Sequence, residues 1–204
     1  VLDRIRAWHR RRRHETPVYV VSGLPRSGTS MMMRMLEAGG IPPFTDGERT
    51  ADVDNPEGYY EFERVKDLER DPDKGWVREA RGRALKVISL LLRQLPDDND
   101  YRIVYMRRNL DEVLRSQDKM LDRLGNAAPG ADPEAMKEAY RNDIVAARLH
   151  ARGRPNMELL EVHYAEAVAD PAAAARAVNA FLGGHLDEAA MAAAVSAHLY
   201  RNRA

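Results

Sequence analysis

The chain contains no cysteine. That excludes disulfides, thiolate metal ligands and a cysteine nucleophile, and it leaves the redox compartment open. Net charge is also missing, because 32 Lys and Arg balance 32 Asp and Glu. No whole-molecule field draws such a chain to nucleic acid or to a membrane surface. No stretch approaches the ~18 uninterrupted apolar residues of a membrane span, and no signal peptide is visible. The expectation is a soluble, cytoplasmic protein with neither a nucleic-acid nor a membrane partner, its oligomeric state left open. At 204 residues a single domain, 1–204, is favoured, with room for a real core. Its basic N-terminal segment, 1–16, holds the run His9-Arg10-Arg11-Arg12-Arg13-His14, read as a solvated face or a frayed terminus.

What is present is concentrated in one stretch. Val18-Tyr19-Val20-Val21-Ser22-Gly23 is a β-branched and aromatic run, Leu24-Pro25-Arg26-Ser27-Gly28-Thr29-Ser30 is rich in turn formers and hydroxyls, and Met31 to Ala38 are strong helix formers. This predicts strand, tight loop and helix. Such a loop aims backbone N–H groups and the positive end of a helix at one point, where a phosphate fits. Ser27, Thr29 and Ser30 add hydroxyl donors, and Arg26 adds a planar guanidinium. The spacing from Gly23 to Gly28 follows the frame of a Walker-type loop, but Thr29 stands where an ATPase or GTPase has lysine.

Further strands are predicted at Ala84 to Leu90, Tyr101 to Met106 and Met157 to Val162. Between them lie helices from Phe62 to Glu69, around Trp76 to Gly82, from Asn109 to Leu124 and from Pro133 to Ala151. Two more follow, from Pro171 to Leu182 and from Asp187 to about Tyr200. Asn109, Asp132 and Asp170 are suitable caps. Strands alternating with helices after a phosphate loop give an α/β fold: three-layer α/β/α with a mostly parallel central sheet, like that of P-loop NTPases. Ligands in such sheets bind beyond the carboxyl ends of the strands.

A magnesium-dependent NTPase would carry an aspartate at a strand end to help hold its metal. The third strand here ends in Arg107-Arg108 instead. The site is therefore expected to hold no metal and to neutralise phosphate with guanidinium, backbone and hydroxyl groups.

Pro25-Arg26-Ser27-Gly28-Thr29-Ser30 resembles the 5′-phosphosulfate loop of sulfotransferases, enzymes whose sulfuryl donor is 3′-phosphoadenosine 5′-phosphosulfate (PAPS). Arg108 and Ser116 fall on the two positions of the family's 3′-phosphate element. Asn55-Pro56-Glu57-Gly58-Tyr59-Tyr60-Glu61 resembles an element of bacterial sulfotransferases. The resemblance implies that Ser27, Gly28, Thr29 and Ser30 cradle the 5′-phosphate, that Arg26 touches the bridging oxygen and sulfonate, and that Arg108 and Ser116 hold the 3′-phosphate. Tyr164 matches a tyrosine near the adenine. Arg201 and Arg203 are candidates for a C-terminal basic contact.

The chain departs from the pattern in three places. Lys86-Val87-Ile88 stands where the cytosolic enzymes have K-T-H, so their histidine base is absent. Met31 replaces a frequent adenine-stacking Trp, and Ala165-Glu166-Ala167 departs from the motif after the tyrosine. Glu61, which aligns with the last Glu of the Asn55 element, is the first candidate base, followed by Glu57 and then His163. The resemblance implies sulfuryl transfer from PAPS to a hydroxyl or amine of a small-molecule or carbohydrate acceptor, leaving adenosine 3′,5′-bisphosphate (PAP). The alternatives are a non-catalytic nucleotide-binding module with a degenerate site, and a P-loop kinase.

Overall fold

The structure is a computed structural model that describes residues 16–47, 60–123 and 132–195. A sheet of four strands, all parallel, forms its centre in the order β2-β1-β3-β4. The strands are β1 (Val18–Gly23), β2 (Ala84–Ile88), β3 (Tyr101–Arg107) and β4 (Met157–His163). Every residue of β1 is buried, as its unbroken apolar run requires of a strand covered on both faces. The chain leaves β1 to build β2 on one side and β3 on the other, so the carboxyl end of β1 is the switch point where such sheets open a crevice.

Alternation along the strands sends Val18, Val20, Ile103 and Tyr105 to one apolar cluster and Tyr19, Val21, Val104 and Met106 to the other. The first cluster is closed by α3 (Pro133–Gly153) through Ile144, Ala147 and Ala151, together with Trp76, Val77, Leu91 and Leu92. The second is closed by α1 (Thr29–Ala38), α4 (Tyr164–Ala169), α5 (Pro171–Leu182) and α6 (Glu188–Ala193). α2 (Leu110–Arg123) follows β3 directly. The expected three layers are therefore present, and the expected mostly parallel sheet is wholly parallel.

Caps fall where the sequence puts them. Asn109 Oδ1 accepts from Asp111 N at 2.8 Å, Asp132 Oδ1 from Glu134 N at 3.0 Å and Asp170 Oδ1 from Ala173 N at 2.9 Å. Two predicted helices are corrected. Residues 62–69 and 76–82 form only short 3₁₀ turns, at Glu63–Asp67 and Gly75–Ala80. Asp71-Pro72-Asp73 separates them, and neither has the length to offset helix nucleation. What anchors them is burial of Val65, Trp76 and Val77. β2 ends at Ile88, and the apolar turn after it is a 3₁₀ turn, Ser89–Gln94. The last helix stops at Ala193. No described helix is long and apolar enough to cross a membrane. Glu57, Arg201, Arg203 and residues 1–15 of the basic segment lie outside the described residues.

Candidate functional site

The loop between β1 and α1 is held in a shape that side chains resist. Gly23 has φ 147°, and a Cβ there would come within 2.5 Å of Ser27 Oγ and 2.6 Å of Met106 O. Gly28 has φ 101°, and a Cβ there would come within 2.4 Å of the Tyr164 ring. Arg26 adopts φ 66° without being glycine, a left-handed conformation that costs a non-glycine residue about 1–2 kcal/mol. Ser27 is 1% exposed, and its Oγ has no hydrogen-bond partner. A buried, unsatisfied hydroxyl costs about 1–3 kcal/mol, which an anion in the loop would offset. Gly28 precedes α1 and gives it no side-chain cap, so the first N–H groups of that helix face the same point.

From β3 the next group arrives. Arg107 and Arg108 are neighbours at the strand end, and alternation sends them to opposite faces. Arg107 Nη1 donates to Glu161 Oε2 at 2.6 Å, and Arg148 Nε donates to Glu161 Oε1 at 2.7 Å. Only Arg108 of the pair turns to the loop, where its Nη1 donates to Arg26 O at 3.1 Å. Its guanidinium lies 4.6 Å from the centre of the Tyr164 ring, a cation–π arrangement. Its Nε donates to Glu112 Oε2 at 2.8 Å, and these two side chains are only 8% and 3% exposed. Glu112 sits one helical turn before Ser116, and Ser116 Oγ accepts from Arg26 Nε at 3.0 Å. Burial, above all, raises the Tyr164 phenol above its ordinary range, against the pull of Arg108. It stays neutral at physiological pH.

On the β2 side, Lys86 is 10% exposed at the side chain and reaches across to α1, with Nζ 3.4 Å from Ser30 Oγ. The same Nζ is 3.5 Å from Glu61 Oε1, while Lys66 Nζ is 3.7 Å from Glu61 Oε2. The backbone of Glu61 is fixed by Thr45, whose Oγ1 donates to Glu61 O at 2.6 Å. Deeper and on the other face, Ser89 Oγ and Tyr105 OH share a 2.7 Å hydrogen bond. Burial pushes the Tyr105 phenol up to about 12, so it is no base near neutrality.

A family model described as "Sulfotransferase family" matches residues 83–188, more than half of the chain. The chain belongs to the sulfotransferase family. That span runs from β2 into α6 and so contains Lys86, Arg108, Glu112, Ser116 and Tyr164; the loop at Gly23–Ser30 lies before it. Among solved structures, the chain is similar to mouse sulfotransferase SULT7A1 complexed with PAP, at 20% identity and a TM-score of 0.52. The superposition covers 92% of this chain and 64% of that one. At this identity the likeness is one of fold. No curated protein sequence matches the chain.

In this sulfotransferase-family chain the fold brings Arg26, Gly28, Arg108, Ser116 and Tyr164 into direct contact with one another, and Ser27, Thr29 and Ser30 into the same loop. Glu61 joins them through Lys86 and Ser30. His163 is exposed at the end of β4, opposite Arg107 in the register. Met31 is buried against the second apolar cluster. Two residues of the site were not singled out from the sequence. Lys86 had a signal, since it is the one charge inside Ala84-Leu85-Lys86-Val87-Ile88. Glu112 had one too, in its four-residue spacing from Arg108, but the first turn of a helix already accounts for an acidic residue there.

Proposed function

We propose that this family member transfers a sulfuryl group from PAPS to a hydroxyl or amine of a small-molecule or carbohydrate acceptor and releases PAP. The observation that carries the proposal is the double contact of Arg26, through Nε with Ser116 and through its carbonyl with Arg108. It ties the phosphate loop to the strand-end arginine at the carboxyl end of the sheet, as recognition of a nucleotide phosphorylated at both its 5′ and 3′ positions requires. The residues present fit that donor. Ser27 Oγ is a buried hydroxyl in search of a partner, α1 opens on bare N–H groups, and Arg108 and Lys86 are held close by.

When bound, PAPS supplies the sulfuryl group and a stable bisphosphate leaving group. Ser27, Gly28, Thr29 and Ser30 hold the 5′-phosphate, and Arg108 and Ser116 hold the 3′-phosphate, with Tyr164 beside them near the adenine. Arg201 and Arg203 are proposed as further contacts to the 3′-phosphate. Arg26 leaves Ser116 to stabilise charge growing on the bridging and sulfonate oxygens, and Lys86 adds a second cation from the β2 side. Glu61 accepts the acceptor's proton as the new O–S (or N–S) bond forms and the old S–O bond breaks with its electron pair going to the 5′-phosphate. Glu57 is a second candidate for that proton. We also propose a bacterial, cytoplasmic setting, which fractionation of source cells tests.

One observation favours the non-catalytic alternative. Glu61 lies between the ammonium groups of Lys86 and Lys66, so each of its carboxylate oxygens already faces a cation where the acceptor's proton would have to arrive. Incubation of the purified protein with sulfur-35-labelled PAPS and a panel of hydroxyl and amine acceptors separates the two. Labelled product is expected; PAP binding without transfer to any acceptor would assign the chain to the non-catalytic class.

A further inference from the structure

Among the described residues, two that are not glycine stand at positive φ: Arg26 in the phosphate loop, and Tyr60 at 55°. A bulky side chain resists that left-handed backbone, and the strain persists only where the surroundings hold it. Tyr60 stands immediately before Glu61. Its ring packs on the second apolar cluster, and its OH donates to Glu37 Oε2 at 2.6 Å. A hydroxyl bonded to a carboxylate makes a strong, directional contact. Burial first, and then this bond, raise the Tyr60 phenol far above its ordinary range, against the pull of Arg34. The OH therefore keeps the proton it donates at physiological pH.

The two neighbours go to different partners. Glu37 lies two turns after Ser30, roughly 10 Å along α1, and Tyr60 is fastened there. Glu61 is directed to the other end, with Oε1 3.5 Å from the Lys86 Nζ that reaches Ser30. Downstream of Glu61 the backbone is gripped from another segment: Thr45 Oγ1 donates to Glu61 O at 2.6 Å, and Glu63 N donates to Asp46 Oδ2 at 2.6 Å. Those bonds hold the two peptides that follow the Glu61 Cα. The direction of its Cα–Cβ bond depends also on the peptide that precedes it, and that peptide belongs to Tyr60. A second cation competes for the carboxylate, because the exposed Lys66 has its Nζ 3.7 Å from Oε2. Loss of the upstream anchor would leave Glu61 free to turn toward Lys66.

We infer that Tyr60, through its bond to Glu37, is a positioning residue that holds the Glu61 carboxylate at Lys86, beside the phosphate loop. This rests on the sulfotransferase function proposed above for the role of Glu61 as base, whereas the placement of Glu61 can be measured without turnover.

The placement is read by carbodiimide crosslinking, which joins a carboxylate and an amine in contact as an amide, with the carbodiimide leaving as its urea. Peptide mass spectrometry gives the ratio of Glu61–Lys86 to Glu61–Lys66 product in the wild type, Tyr60→Phe, Glu37→Ala and the double variant. The ratio is expected to fall at least threefold in each single variant and no further in the double one. Melting temperatures close to that of the wild type report that the variants are folded. Transfer from sulfur-35-labelled PAPS to a hydroxyl and amine panel that includes 2-naphthol and D-glucosamine is measured beside it. The kcat should fall at least fivefold in Tyr60→Phe with the KM for PAPS within twofold, and Tyr60→Phe should cost nothing further in a Glu61→Gln background. If the ratio falls but the wild type sulfates nothing in the panel, or Glu61→Gln transfers at the wild-type rate, the role of Glu61 as base falls and its placement by Tyr60 stands. An unchanged ratio in the folded variants overturns the inference, as do kcat losses that add in Tyr60→Phe/Glu61→Gln.

Discussion

Arg26 Nε donates to Ser116 Oγ at 3.0 Å across 90 positions of sequence. Ser116 is one turn of α2 from Glu112, Glu112 holds Arg108, and Arg108 donates to the carbonyl of Arg26. The four residues close a ring. The groups proposed for the two phosphorylated ends of the donor thus share one frame, and a disturbance at either end is felt at the other.

Arg26 reaches Ser116 from a strained backbone, and its side chain belongs to neither apolar cluster. Arg26→Ala is expected to lower the transfer rate by about 10²–10³-fold, the usual loss when one stabiliser of transition-state charge is removed, with the melting temperature little changed. Steady-state kinetics beside a thermal melt check both halves. Loss of the fold together with activity would instead assign Arg26 a structural role.

Arg108 and Glu112 behave differently because both are buried. Arg108→Ala removes one half of a buried ion pair, which is expected to cost up to about 3–5 kcal/mol, or roughly 10 °C in melting temperature. The double variant Arg108→Ala/Glu112→Ala should regain part of that stability, since it removes both buried charges of the pair, yet still bind PAP weakly. A double-mutant cycle read by both denaturation and PAP titration checks this. Recovery of PAP affinity in the double variant would show that Arg108 does not contact the nucleotide.

Gly28 is required twice, by its φ of 101° and by the Tyr164 ring that a Cβ would meet at 2.4 Å. Gly28→Ala should destabilise the protein by about 1–3 kcal/mol and weaken PAP more than a substitution at the rim of the loop would. Intrinsic tyrosine fluorescence of Tyr164, isolated by comparison with Tyr164→Phe, should change on the Gly28 substitution. A variant of wild-type stability with an undisturbed ring signal would contradict the packing described.

The strand, loop and first helix were legible because β-branched residues, turn formers and helix formers follow one another without overlap from Val18 to Ala38. The helices with Asn109, Asp132 and Asp170 as caps were legible for the same local reason. The 3₁₀ turns at Glu63–Asp67 and Gly75–Ala80 were not, because helix formers are present in both stretches while Asp71-Pro72-Asp73 and Gly82 cut the runs short, and tertiary burial of Val65 and Trp76 decides their shape. Arg26, Arg108, Ser116 and Tyr164 could be read from motif spacing. Lys86 and Glu112 depend on which face of a strand or helix meets the loop. That Arg107 turns away to Glu161 while Arg108 turns in follows from the two-residue period of a strand, once the loop's side of the sheet is known.

His150 gives the fold a pH dependence away from the site. Its Nε2 is buried with no hydrogen-bond partner, and burial first, then Arg154 and Arg93, hold its folded pKa below the ordinary value. In the unfolded chain the imidazole titrates near ~6.5. The unfolded state therefore takes up the proton first as pH falls, and the contribution to stability, complete above that value, is lost as pH drops through the folded pKa. Melting temperatures measured from pH 7.5 to pH 5 should fall, and His150→Gln should flatten the slope. An identical slope in the variant would rule His150 out as the cause.

The most direct test of the proposed donor site is calorimetric titration of PAP into the protein in magnesium-free buffer, on the wild type, Arg26→Ala and Ser116→Ala, with ATP as the control nucleotide. PAP is expected to bind the wild type without metal and far more tightly than ATP, and both variants are expected to bind PAP more weakly. Equal affinity for PAP in all three proteins, or preference for ATP, would contradict it.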